Sequence, residues 1–463
     1  MYDARMRRLL LLTLTGAGCF HPSPPSGAPC NDRDECPSGQ SCFSGYCYVP
    51  GTEPDAAIDA CPDSTCLGND LAGCGSRITC ALGCSAVTVA HCETMVPSNN
   101  ISPSLLAGAV ADFSGDNLDF DTDDGGIRAG NVTVRANGTG VIGGIGFTIQ
   151  DGMGIFTFNS LSSTVSDNWS GHGANSLVLF AATTITVAGD LDLGANANIG
   201  GTGGFDGGAS LSVGTGCRGR GGSWTQAQIG EGGGGGGGRT AGGNGAPSNG
   251  ATFGAGGAMC TNYPSITPLR GGNGGGAAGV DAATSPDTVH GGVGGGGGGA
   301  VALVAMESIM LSGTASIAVP GGGGETAASG DGGGGGGGGG AILIESPVVT
   351  VSGALTANGG GGAGPGGTNG SRGHTTDGNA AGAGSFTGPG GTRTGGRGGT
   401  GALSPTTAQT YTYDDGLALP TSITARGGGG GGAAGKVTVK SRSPMLTGST
   451  QSPSAVVEDI VVQ

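Results

Sequence analysis

The sequence has few charged and few aromatic residues. Charged residues make up 11% and aromatic residues 4% of the 463-residue chain. The 18 basic residues include only two lysines, Lys436 and Lys440, against 33 acidic residues, and the formal net charge is −15. No basic patch with interleaved aromatic residues is present, so nucleic-acid binding is not expected. The negative charge also gives the chain little attraction to an anionic membrane surface.

Motifs of the common hydrolases and nucleotide-binding enzymes are missing as well. The sequence has no GxSxG, HExxH or Walker-type motif, and its five histidines are scattered. The two tryptophans, Trp169 and Trp224, are isolated, whereas polysaccharide cleavage needs paired carboxylates in a groove with aromatic platforms. We predict no catalytic residue and expect the protein not to be an enzyme. A polysaccharide lyase or hydrolase built on a β-helix is the alternative.

Glycine is present in large excess. It accounts for 111 of the 463 residues, and it occurs in runs. Collagen requires glycine at every third position and is therefore excluded.

The first residues indicate export. Met6 to Phe20 places two arginines before a short apolar run and small residues, which is the layout of a secretory signal. The stretch TGAGC ends at Cys19 and resembles a bacterial lipobox, which implies that Cys19 is diacylated and becomes the new N-terminus. Ordinary cleavage nearby, with Cys19 unmodified, is the alternative. We therefore expect a lipid-anchored protein of the cell surface or outer membrane.

The cysteine count agrees with a modified Cys19. There are 13 cysteines, and an odd number leaves one unpaired in an oxidising compartment. The other twelve form even groups and are our disulfide candidates: Cys30, Cys36, Cys42 and Cys47; Cys61, Cys66, Cys74, Cys80, Cys84 and Cys92; Cys217 and Cys260. A zinc site at Cys80, Cys84 and His91-Cys92 is the alternative for part of the second group.

Residues 19 to 100 carry a resemblance. Cys30 to Cys47 resembles the short four-cysteine knots of extracellular proteins, and Cys80 to Asn100 is similar to a segment of uncharacterised glycine-rich surface lipoproteins of high-GC Gram-negative bacteria. The expected order is a signal peptide (1–18), a lipid-anchored linker (19–29), a four-cysteine knot (30–47), a linker (48–60), a six-cysteine region (61–100) and a glycine-rich β domain (101–463).

Apolar islands in the β domain repeat without gaps. Leu177–Gly189, Val301–Gly313 and Ala341–Gly353 align, and Lys436–Gly448 is a weaker copy. The alignment matches Leu179 with Leu303 and Leu343, Ile185 with Ile309 and Val349, and Val187 with Leu311 and Val351. Each copy alternates apolar and polar residues like short strands, which cannot bury an apolar face unless copies stack. We predict a mostly β fold, a right-handed parallel β-helix or related β-solenoid, and the C-terminal part resembles parallel β-helix surface proteins.

Glycine-rich insertions interrupt the repeats at residues 194–299, 320–340 and 358–435. Ordering a glycine backbone costs about 1–2 kcal/mol per residue and buries no side chain, which favours mobile loops. The alternative is an ordered bundle of polyproline-II-like glycine strands. Such bundles occur in glycine-rich antifreeze and phage-tip adhesin proteins, which the chain resembles in texture.

Two kinds of ligand site are expected. Asp119, Asp121 and Asp123 alternate like the start of a calcium loop, so a calcium ion is the one cofactor that the sequence leaves open; a solvated acidic edge is the alternative. Arginine and aromatic residues in the insertions are candidate contact residues: Trp224, Tyr263, Arg372 and Arg393. We therefore expect a structural or adhesive surface protein whose partner is a surface polysaccharide or another cell-surface protein.

Overall fold

The computed structural model divides the chain into two compact units, residues 1–93 and 94–463. It describes Cys36, residues 64–73, 76–80, 82–87, 89–208, 231–246, 264–279, 291–326, 332–364, 368–373, 384–388, 391–399, 404–408 and 424–463, and the backbone of several further short strands. Each unit is described by itself below. No helix in these residues is long and apolar enough to cross a membrane.

The first unit consists of short strands held by disulfides. Its strands are β1 (Ala28–Pro29), β2 (Ser41–Phe43), β3 (Tyr46–Tyr48), β4 (Thr65–Leu67), β5 (Asp70–Gly73), β6 (Ser76–Thr79), β7 (Cys84–Ser85) and β8 (His91–Cys92). They form three small sheets in the orders β1-β3-β2, β4-β5-β6 and β7-β8. Disulfides join Cys66 to Cys84 and Cys80 to Cys92, and both cystines contact a small core that contains Leu71 and Ala90.

These disulfides decide the zinc alternative. Cys80, Cys84 and Cys92 are all oxidised, and His91 Nδ1 lies 2.8 Å from Val89 O. The zinc alternative is therefore wrong, because a disulfide sulfur is not available as a thiolate ligand. Cys36 is also disulfide-bonded. The remaining candidates of the first unit, Cys30, Cys42, Cys47, Cys61 and Cys74, have side chains outside the described residues.

The second unit is almost entirely β. Its elements are β9 (Met95–Val96), a 3₁₀ helix (Pro103–Leu106), β10 (Asp112–Ser114), β11 (Leu118–Asp121), β12 (Ile127–Ala129), β13 (Val132–Arg135), β14 (Gly140–Ile142), β15 (Ile145–Gln150), β16 (Met153–Phe158), β17 (Ser160–Ser162), β18 (Asn168–His172), β19 (Ser176–Ala181), β20 (Thr184–Val187), β21 (Asp190–Asp192), β22 (Trp224–Thr225), β23 (Ile229–Gly230), β24 (Ser265–Ile266), β25 (Leu269–Arg270), β26 (Ala300–Ala305), β27 (Ser308–Leu311), β28 (Ser316–Ala318), β29 (Ala341–Glu345), β30 (Val348–Val351), β31 (Ala354–Thr356), β32 (Ser385–Gly388), β33 (Gly391–Thr394), β34 (Thr410–Tyr413), β35 (Thr424–Gly427), β36 (Lys436–Lys440), β37 (Ser443–Met445), β38 (Thr450–Ser452), β39 (Val456–Glu458) and β40 (Val461–Val462).

Three large sheets take their strands in rotation. Sheet I has the order β10-β17-β20-β27-β30-β37, sheet II β13-β12-β11-β18-β21-β28-β31-β38, and sheet III β14-β15-β16-β19-β26-β29-β36-β39. From β16 onward the chain visits sheets III, I and II in that order, and the pairings between successive passages are parallel. The predicted β-rich fold with parallel sheets is confirmed. Each glycine-rich insertion leaves after a sheet II strand and returns into a sheet III strand.

Inward side chains of the three sheets form one apolar core. Sheet I contributes Ile185, Ile309 and Val349 at matching positions, in agreement with the repeat alignment. In sheet III the register differs, because Leu179 pairs with Leu303 but Leu303 pairs with Ile344. The predicted match of Leu343 with Leu179 and Leu303 is therefore wrong by one residue.

Burial on both faces explains this error. All residues of β19, β26 and β29 are buried, so apolar residues occur at every position and the sequence does not mark the inward face. The corner between Ile344 and Val349 is one residue shorter than the corner between Leu303 and Ile309, which a gapless alignment cannot reveal.

The glycine segments are not mobile loops where the structure describes them. They pack side by side as a largely buried body, here called the glycine bundle: residues 231–238, 242–246, 271–279, 291–299, 320–326, 332–340, 357–364, 368–373, 395–399 and 427–435. Successive amides of residues 333–340 donate to three neighbouring segments in rotation. Gly333, Gly336 and Gly339 donate to residues 427–433, Gly334, Gly337 and Gly340 to residues 319–325, and Gly335 and Gly338 to residues 273–276.

The rotation of the hydrogen bonds among three neighbouring segments explains why every residue from 332 to 340 is glycine. A period of three is that of a polyproline-II-type helix, whose residues face different neighbours in turn. The carbonyls of residues 332–338 accept hydrogen bonds from three further segments, so neighbours surround this segment on all sides. No face is left for a Cβ atom. The expectation of mobile loops failed because it counted the entropic cost of ordering glycine without these hydrogen bonds.

A buried carboxyl group attaches residues 94–100 to sheet III. Glu345 is fully buried and accepts hydrogen bonds from Ser98 N at 2.8 Å and from Ser98 Oγ at 2.9 Å. Lys440 Nζ donates to Ser98 Oγ at 2.9 Å and lies 3.5 Å from Glu458 Oε2. Burial raises the pKa of Glu345 above its ordinary value of 4.5, although the Ser98 hydrogen bonds and Lys440 oppose the shift.

This raised pKa predicts a stability loss as the pH rises. The folded protein holds the Glu345 proton more tightly than the unfolded chain does. The stabilisation of the folded state by this proton is therefore complete below pH 4.5 and is lost as the pH rises through the folded pKa of Glu345. We expect the unfolding free energy of the wild type to fall over this window relative to Glu345→Gln, as measured by urea unfolding between pH 4 and 8. Glu307→Gln, at an exposed corner, is the control and keeps the wild-type slope. Equal slopes for Glu345→Gln and the wild type would contradict the assignment.

Candidate functional site

Two aspartates project from the outer face of sheet II. In β11, Leu118 and Phe120 are fully buried in the core, so the alternating Asp119 and Asp121 point outward. The neighbouring strand β18 places Ser170 opposite Asp119 and His172 opposite Asp121. The period of two therefore brings two carboxylates and an imidazole to one surface.

His172 lies between the two carboxylates. Its Nδ1 is 3.1 Å from Asp119 Oδ2, and its Nε2 is 3.6 Å from Asp121 Oδ2. Asp119 Oδ1 also accepts a hydrogen bond from Ser170 Oγ at 2.8 Å. The His172 side chain is 60% exposed, so a molecule from solvent can reach the imidazole.

A cavity of about 360 Å³ opens beside this group. It is lined by Asp119, Asp121, Gly126, Arg128, Asn137 and His172. Arg128 lies opposite Asp119 on the antiparallel strand β12, and Asn137 Nδ2 donates to Asp124 Oδ2 at 3.3 Å. The described lining therefore combines acceptors, donors and a guanidinium group but no Phe, Tyr or Trp side chain.

The arrangement can bind polar groups and move a proton. An imidazole hydrogen-bonded to a carboxylate is a usual general acid–base pair. A guanidinium group next to it can bind a carboxylate or a hydroxyl group. These features fit a hydroxyl-rich ligand.

The third aspartate does not join the other two. Asp123 lies in the turn after β11, and its carboxylate accepts hydrogen bonds from Ala174 N at 2.9 Å and from Asn175 Nδ2 at 2.8 Å. Asp121 Oδ1 in turn accepts from Asp123 N at 2.9 Å. In the described part of the chain, no group of three or more His, Cys, Asp or Glu side chains is placed to hold a metal ion. The geometry therefore does not support the predicted calcium site at Asp119, Asp121 and Asp123.

Arg372, a predicted contact residue, is engaged within the protein. Its Nη1 and Nη2 donate to the two carboxylate oxygens of Asp192, each at 2.6 Å. Asp192 belongs to sheet II, so this bidentate pair connects the glycine bundle to the sheet. Both side chains are partly exposed, at 38% and 42%, and the pair adds little to stability by itself.

Most other predicted site residues cannot be placed. Trp224 lies in β22 and Arg393 in β33, but their side chains are outside the described residues. The same is true of the whole of Cys19, Cys217, Cys260 and Tyr263. The lipidation of Cys19 and the pairing of Cys217 with Cys260 stay predictions.

His172, Arg128 and Asn137 were not predicted from the sequence. His172 could have been found, because Asn168, Ser170 and His172 alternate with the buried Trp169 along β18. Arg128 and Asn137 reach the cavity through the antiparallel strands β12 and β13 and the turn that follows them. The repeat pattern gave no signal for these strands.

No family model, no curated protein and no solved structure matches this chain.

Proposed function

We propose that this protein is a lipid-anchored component of the cell surface or outer membrane with a structural or adhesive role, and that its second unit is a β-solenoid. The rotation of the strands through sheets III, I and II supports the solenoid, because repeated rungs produce this order. The disulfides of the first unit support export, since disulfides persist in oxidising compartments. The lipobox resemblance at Cys19 supports the anchor.

One observation favours the structural role most. The sheets and the glycine bundle share one hydrogen-bond network: Gly340 N donates to Val319 O at 2.9 Å, and Lys436 N donates to Gly340 O at 2.9 Å. Ala341 N donates to Gly299 O at 3.0 Å at the same junction. Strands and glycine segments therefore support each other, which suits a body that must keep its shape on a surface.

Expression of the full chain in a Gram-negative host tests this proposal. We expect the wild type in the membrane fraction, with an intact mass that includes a lipid, and we expect its cells to attach to surfaces more than control cells. Cys19→Ala should be exported without the lipid and should lose cell attachment while the purified protein keeps its thermal melt. A wild type that is soluble and unmodified would contradict the anchor, and equal attachment of both strains would contradict the adhesive role.

The second candidate function is polysaccharide cleavage. It is favoured by the Asp119–His172 contact of 3.1 Å in a cavity that Arg128 also lines. Incubation of the purified protein with neutral polysaccharides and polyuronates separates the two functions. We expect binding without release of reducing or unsaturated ends. Products that disappear in His172→Ala, with folding unchanged, would favour the enzyme.

A further inference from the structure

Five of the six strands of sheet I, β17, β20, β27, β30 and β37, carry no charged residue on their outer face, although the protein has a net charge of −15. The sixth strand, β10, places the exposed Asp112 at the edge of the sheet. The outward residues of the five uncharged strands alternate with buried residues such as Ile185, Ile309 and Val349. The hydroxyl-and-methyl face, as it is called here, consists of Ser162, Thr184, Thr186, Ser308, Met310, Val348, Thr350, Ser443 and Met445. The charged residues Glu307 and Arg442 lie in the corners that precede β27 and β37.

The side chains of this face form a regular array. One row pairs Ser162, Thr186, Met310, Thr350 and Met445 across five parallel strands. The second row runs Thr184, Ser308, Val348 and Ser443. Parallel strands lie about 4.8 Å apart and same-face residues about 6.6 Å apart, so hydroxyl and methyl groups repeat on a nearly flat lattice.

The face is open to solvent. Met310 is 48%, Val348 42% and Met445 53% exposed, so apolar side chains of this face are in contact with solvent. The outer face of sheet II differs, because it presents Asp119, Asp121, Asp190 and Asp192. The two faces therefore suit different partners, and the hydroxyl-and-methyl face of sheet I suits an uncharged one.

The size of the face argues against a protein partner. Five strands span only about 20 Å and two residues along each strand about 10 Å, whereas a stable protein interface buries about 800 Å² on each side. A second copy would not be held by this face alone. A polymer with a repeating surface is different, because many anchored copies bind it together and their weak contacts add up.

We propose that the hydroxyl-and-methyl face of sheet I binds an insoluble, uncharged polysaccharide. Serine and threonine hydroxyls both donate and accept hydrogen bonds, as sugar hydroxyls do. Threonine methyl groups, methionine and valine provide apolar contact for the C–H face of a pyranose ring. This inference rests on the proposed adhesive role and names its partner.

Sedimentation with cellulose, chitin and insoluble β-1,3-glucan tests the inference on the full-length protein. We expect binding to at least one of them that does not change between 0.05 and 1 M salt, because no charged pair contributes. Met310→Glu/Met445→Glu should weaken this binding at least about tenfold, since two carboxylates would have to lose water against a neutral surface. Val141→Glu/Ile149→Glu replaces apolar residues of similar exposure, 48% and 46%, on sheet III and should bind within about twofold of wild type.

Several results would overturn the inference. The first is that the protein binds none of the three polysaccharides, and the second is that both double variants lose polysaccharide binding equally. The third is that the protein self-associates, the Met310→Glu/Met445→Glu change abolishes this self-association, and no polysaccharide is bound. Thermal melts of all variants show that a loss does not come from unfolding. If cells still attach to surfaces while the purified protein binds none of these polysaccharides, the adhesive role stands and the role of this face is wrong.

Discussion

Replacing Gly337 by alanine is expected to destabilise the second unit by about 3 kcal/mol or more, since overpacking against fixed backbone is among the costliest core changes. A Cβ atom at this position would lie 1.9 Å from Gly296 O and 2.5 Å from Gly296 C. Gly337 N also donates to Gly322 O, and Gly337 O accepts from Gly360 N. The segment is therefore held from several sides and has no direction in which to move.

Two alanine substitutions provide matched controls for this prediction. At Gly428, within the glycine bundle, a Cβ atom would lie 3.2 Å from Gly395 Cα, so the neighbours need to move only slightly. At Gly313, outside the bundle, the nearest atom is Ser352 Cβ at 4.0 Å. We expect a small loss for Gly428→Ala and, for Gly313→Ala, no loss or a gain of about 0.5 kcal/mol from the less flexible unfolded chain. Urea unfolding measures all three, and equal values would show that the bundle is not close-packed.

Arg135→Met is expected to cost about 3 kcal/mol or more, because each buried carbonyl group that loses its donor costs about 1–3 kcal/mol. The Arg135 side chain is only 1% exposed, and no carboxylate accepts one of its four hydrogen bonds. Its guanidinium group donates to Gly125 O, Ala136 O, Gly140 O and Ile145 O. Burial lowers the pKa of this guanidinium group, which nevertheless stays charged.

Arg135→Met is also expected to disturb the candidate site. Arg135 holds the hairpins of β12 to β15, and the same part of the chain carries Gly126, Arg128 and Asn137 at the cavity. Arg135→Lys should lower the free energy of unfolding by an intermediate amount, since an ammonium group cannot donate to four carbonyls in a planar arrangement. Arg128→Met, an exposed change on the neighbouring strand, should change the urea midpoint little. Equal effects of Arg128→Met and Arg135→Met would contradict the structural role of Arg135.

The strands could be predicted because their pattern is local. In sheet I only one face is buried, so alternation marked Ile185, Ile309 and Val349 correctly. In sheet III both faces are buried, and the same reasoning misplaced Leu343. The reliability of the pattern therefore depended on whether solvent covered one side of the strand.

The glycine bundle and the candidate site depend on contacts between distant residues. Gly335 donates to Gly276 and Gly336 to Gly430, and no local pattern in a glycine run indicates such partners. Composition alone could therefore define the two alternatives, mobile loops and an ordered glycine bundle, but could not decide between them. His172 lies next to Asp119 because β11 pairs with β18. Asp123 does not lie beside Asp119 and Asp121, because a turn begins at Asp121.

Amide hydrogen exchange of the glycine segments tests the central claim, that the sheets and the glycine bundle form one hydrogen-bonded body. Residues 291–299, 332–340 and 427–435 each lead directly into β26, β29 and β36. We expect these glycine amides to be protected to a similar degree as the strands that follow them, because both open only when the shared network opens. Glycine amides that exchange at the rate of an unfolded chain while β26, β29 and β36 stay protected would contradict the claim.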